Sequence, residues 1–387
     1  MAAADGPDRA DAQPAHTQPA AAQPDDAQRA RPRPAQARPT DGEWTGAAWT
    51  VRSAVRAFRR AHPEVGDEVC VALSGGADSL ALTAAAVTEF AEVTALVVDH
   101  GLQAGSDEVA REACRAAGRL GARSRELVVV VDPDGSGPEA AARTARYAAL
   151  DAAREGRPVL LAHTLDDQAE TVLLGLGRGS GARSLRAMAT WDAPWGRPLL
   201  GVRATDTRAA CHGLGLDWWD DPHNTDPAFT RVRVRREVLP LLEDVFGGGV
   251  AEGLARTAEL LRTDDDELDR LAAAVPVSGD GGLDISVLEP LPTAVLTRVL
   301  RRWLLAHGCP SPTYAHLSAV AALVTDWHGQ GGVAVGGTGP GTGAGRDTSA
   351  GAGPGVSGVM AGRGRLVARR RHGKLVLDID RASGAGT

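Results

Sequence analysis

The chain has 387 residues, a net charge of −7 and 43% hydrophobic residues, which predicts two or three domains with a substantial core and excludes a uniformly basic nucleic-acid binder. Its four cysteines, Cys70, Cys114, Cys211 and Cys309, form no close pair, which argues against a zinc site or a disulfide framework and fits a reducing compartment. No stretch approaches the roughly 18 apolar residues of a membrane span, and the N-terminus carries no apolar signal core, so a soluble cytoplasmic protein with no membrane partner is expected.

Residues 1–42 are Ala, Pro, Asp, Gln and Arg without apolar periodicity and predict a disordered tail. Trp44 to Ala61 follows as an amphipathic helix. Across 43–228 strands near 68–73, 93–99, 125–131 and 158–162 alternate with helices near 79–90, 106–120, 138–155 and 166–177. Such alternation predicts an α/β fold with a doubly wound parallel sheet covered on both faces. Ala95–Val98 and Val159–Leu161 are apolar without interruption, as doubly buried strands are. Helical patterns at 229–246, 248–274, 292–307 and 313–326 predict a smaller, mainly helical substrate-binding region over 229–327. A flexible Gly-rich loop is expected over 328–357. A β-hairpin and tail are expected over 358–387, with strands at 366–370 and 374–379 around Arg371-His372-Gly373.

The most informative stretch is the apolar strand Val69–Leu73 running into Ser74-Gly75-Gly76-Ala77-Asp78-Ser79 and then a helix. Strand, glycine turn and helix N-terminus together make a phosphate cradle, because glycine tolerates positive φ and the first helical amides lack backbone partners. Asp78 suits an anion site only if a divalent cation lies between it and the phosphates. A Walker loop needs Gly-Lys-Ser/Thr, and the single lysine of the chain is Lys374.

In a doubly wound sheet, ligands sit beyond the carboxyl ends of the strands, where the other motifs fall. One strand ends at Asp99-His100-Gly101. Another ends at His163-Thr164-Leu165-Asp166-Asp167-Gln168-Ala169-Glu170. Between them, Arg143, Arg146 and Tyr147 share a helix face. The three carboxylates complement a helix dipole, with Thr164 as N-cap and Asp167 at the third position. Their number also calls for a cation, and Asp167 and Glu170 lie on one face. Arg231, Arg233, Arg235 and Arg236 form a basic run, and not all of them can point one way from a helix. Arg363, Arg365, Arg369, Arg370, Arg371 and Lys374 form a second basic surface. Trp218 and Trp219 either stack on a base or pack at the domain join.

Ser-Gly-Gly-x-Asp-Ser resembles the PP-loop of the ATP pyrophosphatases. With VDHGL, EAAARTARY, AHTLDDQAET and DDPHNTDPAFTRVRVRREVLPLL in that order, the chain resembles the tRNA(Ile)-lysidine synthase family from about Val69 to Leu242. Thr164 stands where the family has a second histidine, and Val232 where it favours asparagine. The resemblance implies adenylation of the wobble cytidine of a tRNA(Ile) with a CAU anticodon, then attack by free L-lysine. It implies ATP on Ser74, Gly75, Gly76, Ala77, Asp78 and Ser79, with Mg2+ supported by Asp78. Asp78, Arg143 and His163 are then the catalytic candidates, Asp167 and Glu170 the lysine-binding pair, and Arg231, Arg233 and Arg235 the tRNA contacts. A homodimer is compatible with the sequence. Two alternatives are a tRNA-modifying ATP pyrophosphatase that installs sulfur, which commonly needs a cysteine pair, and a nucleotide-binding module without turnover. A third is an amide synthetase acting on a small carboxylate.

Overall fold

A computed structural model of the chain describes residues 39–99, 101, 105–129, 138–179, 181–279, 281–309, 311–337 and 365–380. The tail expected over 1–42 lies outside these residues as far as 38. From Thr40 the chain is held: Glu43 donates its amide to the Thr40 carbonyl, and Asp41 pairs with Arg52 at 2.8 Å.

Helix α1 (Gly46–Ala61) buries Ala48, Val51, Val55 and Phe58, an i, i+3, i+7, i+10 stripe that one helical face provides. It packs on α2 (Ala77–Glu89) and α7 (Ala204–Gly213). These helices cover one face of a sheet made of β1 (Glu68–Ala72), β2 (Glu92–Asp99), β3 (Arg123–Val128), β4 (Val159–Leu160), β5 (Trp191–Asp192) and β6 (Trp195–Gly196). The order is β3-β2-β1-β4-β6-β5, and every pair is parallel except the terminal β5–β6 hairpin. Helix α3 (Ser106–Arg119) joins the same face, while α4 (Pro138–Ala153) covers the other. Successive side chains of a strand point to opposite faces, and the cores divide accordingly. Val69 and Val71 pack with α1 and α2; Cys70, between them, packs with Leu150 and Ala153 of α4.

Helices α5 (Leu165–Gly177) and α6 (Ala182–Leu185) lead toward the second region. There α8 (Thr230–Arg233), a π-helical turn over Val234–Val238, and α9 (Leu239–Phe246) precede the long α10 (Val250–Ala273). Glu243 accepts the amides of Val250 and Ala251 at 3.0 and 3.1 Å and so caps α10 after three glycines with positive φ. Next come β7 (Leu283–Asp284), α11 (Ile285–Leu288), α12 (Thr293–Ala306), α13 (Tyr314–Thr325), β8 (Val333–Gly337), β9 (Arg365–Arg371) and β10 (Lys374–Asp380). The strands form an antiparallel sheet, β7-β10-β9-β8, packed around Trp303, Leu300, Leu323 and Leu375. Asp265 of α10, 3% exposed, receives Arg298 of α12 at 2.5 Å and Arg186 at 3.1 Å. This ion cluster links the end of α6 to the helices beyond.

Two differences from the sequence reading have clear causes. Val333–Gly337, expected within a flexible loop, is an edge strand: Val335 is fully buried, and β9 supplies the hydrogen-bond partners that a glycine-rich stretch lacks alone. Residues 338–357 of that loop lie outside the described residues. Residues 178–228, which carry no readable periodicity, contain α6, β5, β6 and α7, and two-residue strands are too short to alternate.

Gly196 sits where a Cβ would come within 2.6 Å of Phe58 and 2.8 Å of Leu160. Gly196→Ala is expected to lower unfolding free energy by about 1–3 kcal/mol through overpacking. In denaturant melts, pairing it with Phe58→Leu should lose less than the sum of the two single changes, because the two sites touch.

Candidate active site

The loop after β1 holds its shape through its own hydroxyls. The Ser74 amide donates to Ser79 Oγ at 3.2 Å, and Ser79 Oγ donates to the Gly76 carbonyl at 2.9 Å. Gly75 has φ +84°, and its carbonyl accepts the Trp219 amide at 3.0 Å. Gly76 precedes α2 without a side-chain cap, so the amides at Ala77, Asp78 and Ser79 remain available to an anion. Asp78 accepts a hydrogen bond from the buried Thr207 of α7. Burial pushes its carboxyl up from the ordinary range; the Thr207 bond opposes this, and nearby Asp167 adds to it. Trp218 packs against the α/β core, while Trp219 is half-buried and pins the loop through its backbone.

The three carboxylates at the start of α5 divide their work. Asp166 accepts the Ala204 amide at 2.7 Å and pairs with Arg203 at 3.3 Å, so it caps α7. Asp167 completes a capping box with Thr164, taking the Thr164 amide at 2.8 Å on Oδ2. Its Oδ1 meets Arg235 Nη2 at 3.0 Å. Glu170 is fully buried; its Oε1 meets Arg235 Nε at 2.5 Å, and its Oε2 has no hydrogen-bond partner. Arg231 Nε stands 4.0 Å from that oxygen. Burial raises the Glu170 carboxyl and Arg235 opposes the rise. Sequence reasoning placed Arg235 with the tRNA contacts and Glu170 with lysine; the structure brings the two together. Arg233 turns outward and pairs with Glu237 at 2.8 Å, and Arg236 donates to the Thr225 carbonyl.

His163 follows β4, and its Nδ1 is buried without a partner. Burial, then Arg197, Arg146, Arg143 and Arg231, hold its proton affinity well below that of an ordinary imidazole. Arg143 and Arg146 both lie over the Tyr147 ring, and Arg146 Nε is likewise buried and unpartnered. His100 lies outside the described residues. In the second basic surface Arg369 and Arg371 pair with Asp378 at 3.3 and 3.0 Å, and Arg370 donates to the Leu323 carbonyl. Arg369 and Arg371 thus have carboxylate partners on the hairpin itself, while Arg363 lies outside the described residues. Thr207 and Arg197 carry no sequence signal beyond their residue type, since they stand beside short or unrecognised elements.

Residues 50–242 match the PP-loop domain family, and residues 283–347 match the TilS substrate binding domain. The chain is 54% identical to the tRNA(Ile)-lysidine synthase of Rhodococcus erythropolis, over 85% of this chain and 95% of that protein. It is 58% identical to that of Nocardia farcinica, over 84% and 97%, and 54% identical to that of Mycobacterium bovis, over 84% and 96%. The chain belongs to the tRNA(Ile)-lysidine synthase family. Membership sets aside the sulfur-installing alternative and places the loop at Ser74–Ser79 inside the matched PP-loop domain. The second match begins at 283, so it covers β7 through β8 with α12 and α13 between them, and not the helices over 229–274.

His163 has a lowered proton affinity when folded, so the unfolded chain binds more protons below the ordinary imidazole value of about 6.5. Its contribution to stability is full above that pH and is lost as pH falls through it. Urea melts at several pH values should show His163→Asn flattening the acid-side decline between pH 7.5 and 5.5. Parallel profiles for the two proteins would place the acid sensitivity elsewhere.

Proposed function

We propose that the protein uses ATP to adenylate the wobble cytidine of a tRNA(Ile) with a CAU anticodon and then joins free L-lysine to it, forming lysidine. The observation that carries this reading is that the first turn of α7 joins the two parts of the site. Thr207 donates to Asp78 of the PP-loop, and the Ala204 amide donates to Asp166 at the start of α5, where Asp167 and Glu170 share Arg235. A phosphate cradle and a carboxylate pair that can hold an ammonium therefore stand side by side.

The cytidine O2 attacks the α-phosphorus of ATP, the α–β phosphoanhydride bond breaks, and pyrophosphate leaves against the loop amides and the α2 dipole. Arg143 and Arg146 offer guanidinium forks to the phosphoryl group as charge develops. Among the described residues no three His, Cys, Asp or Glu side chains cluster as a metal site. Asp78, a desolvated carboxylate beside the phosphate loop and without an ion-pair partner among the described residues, would be the residue to hold a divalent cation there. If magnesium is bound there, its charge would help neutralise the pyrophosphate as it leaves.

In the second step the lysine ε-nitrogen attacks carbon 2, the bond from carbon 2 to the bridging oxygen breaks, and AMP departs with that oxygen. The unpartnered Glu170 Oε2 is the acceptor offered to a lysine ammonium, with Asp167 beside it and Arg235 fixing both carboxylates. His163, kept neutral by burial, presents an unpartnered Nδ1 that can receive the proton released by the attacking amine once phosphate bound at Arg143 and Arg146 offsets their charge. Arg231 and Arg233 meet tRNA phosphates, Arg233 by exchanging its exposed Glu237 partner.

Incubation with ATP, magnesium, labelled lysine and bulk bacterial tRNA should place acid-stable label in the tRNA; no label would overturn the reading. Asp78→Ala should lower the adenylation rate on the order of 100-fold with the fold intact. Glu170→Gln should raise the lysine concentration for half-maximal rate well over tenfold, from a loss of roughly 2–5 kcal/mol for a buried charge pair. An unshifted lysine titration beside a lowered melting temperature would make Glu170 a packing residue only. Arg231→Ala with Arg233→Ala should reduce the salt dependence of tRNA binding by roughly one unit of slope per contact.

A further inference from the structure

Beyond these residues, one arginine stands in the site with no assignment. Arg197 leaves β6 where β4 leaves beside it: Leu160 is in register with Gly196, and the Leu161 amide donates to the Gly196 carbonyl at 2.8 Å. Arg197 and His163 therefore emerge from neighbouring strands at the same edge. The Tyr147 and Trp195 rings meet edge to face at 4.9 Å, which ties the arginine-bearing half of α4 to the same strand.

Arg197 is 8% exposed. One Nη1 proton goes to the Ala189 carbonyl at 3.1 Å, while Nε is buried without a partner. Arg146 Nε and His163 Nδ1 share that condition. Among the described residues no carboxylate pairs with Arg197, Arg146 or Arg143, whereas Arg183, Arg186, Arg235 and Arg298 each have one. Arg197 and Arg146 each bury an unpartnered Nε, a costly state for a guanidinium without a counter-charge, and with the exposed Arg143 on the same helix as Arg146 they call for an anion.

We propose that Arg197 is a phosphate-binding residue of this site, completing with Arg146 and Arg143 an anion site at the carboxyl ends of β4 and β6. The inference rests on the lysidine-forming reading, which supplies two phosphate sources, the nucleotide and the RNA backbone. Several guanidiniums exceed what a single carboxylate needs and suit a tetrahedral dianion or diester with several acceptor oxygens.

Arg197→Gln and Arg197→Lys test it, each in two equilibrium measurements: binding of ATP with magnesium, and binding of tRNA across a salt series. If the phosphate is the nucleotide's, Arg197→Gln weakens ATP binding at least tenfold and leaves the tRNA salt slope unchanged. If it is the RNA's, the slope falls by about one and ATP binding stays as it was. Arg197→Lys, which keeps the charge without the fork, recovers part of whichever effect appears, and replaces the glutamine variant should that fail to fold. Either pattern supports the assignment. Unchanged ATP affinity and salt slope beside a lowered melting temperature would make Arg197 a support for the Ala189–Trp191 backbone. Both measurements need no turnover, so failure to form lysidine would remove the proposed reaction without deciding the fate of Arg197.

Discussion

The parallel register of β1, β4 and β6 governs the rest of this structure. Cys70 donates to the Pro158 carbonyl at 2.8 Å, Val159 to Pro194 at 2.9 Å and Leu161 to Gly196 at 2.8 Å, so three strands end at one level. Each delivers a different chemical group there: the phosphate loop from β1, His163 and the acidic helix from β4, and Arg197 from β6. Parallel strands joined by crossovers must all release their carboxyl ends at the same edge, which is why ligand sites of such sheets gather there. Because Gly196 lacks a Cβ, Phe58 and Leu160 can close over that strand. The site's alignment thus depends on a packing contact beneath it.

Charge is distributed along that edge in two groups. Asp167 and Glu170 share Arg235, and Asp78 is held by Thr207; Arg143, Arg146 and Arg197 have no carboxylate partner among the described residues. Burial first, and then the neighbouring arginines, lower the proton affinity of His163 and keep it neutral. Neither group is complete by itself, and the substrates of the proposed reaction carry the missing charges: an ammonium for one, phosphates for the other. The π-helical turn over Val234–Val238 bears on this arrangement. Arg231 and Arg235, four residues apart, both reach Glu170 of α5 while Arg233 turns to solvent, and π-helical turns recur at functional sites.

Buried ion clusters also hold the second region in place. Asp265, Asp266 and Asp269 of α10 take Arg183 and Arg186 on one side and Arg298 of α12 on the other. Such clusters contribute little net stability against apolar packing, yet breaking one partner leaves a buried charge, so they favour one relative placement of the helices. Leu165 and Ala169 of α5 pack with Val234, Leu239 and Ala251 on the same route. The helix that bears Asp167 and Glu170 is therefore held from the α10 side as well as by the sheet.

The sequence alone determined the features that local chemistry dictates. An uninterrupted apolar strand followed by Ser-Gly-Gly-Ala-Asp-Ser is legible as a phosphate loop, because glycine conformation and helix-end amides are properties of neighbouring residues. The alternating sheet, the capping box at Thr164 and Asp167, and the hairpin around Arg371–Lys374 are legible for the same reason. Tertiary structure decided which charge meets which. Arg235 and Glu170 are far apart in sequence and meet only because α5 packs against the π-helical turn. Arg197 stands beside His163 only because a two-residue strand, too short to show any alternation, pairs in parallel with β4. Thr207 reaches Asp78 across the packing of α2 on α7. Periodicity and motif report what a residue does to its own backbone, whereas the partners of a buried charge depend on packing between distant segments.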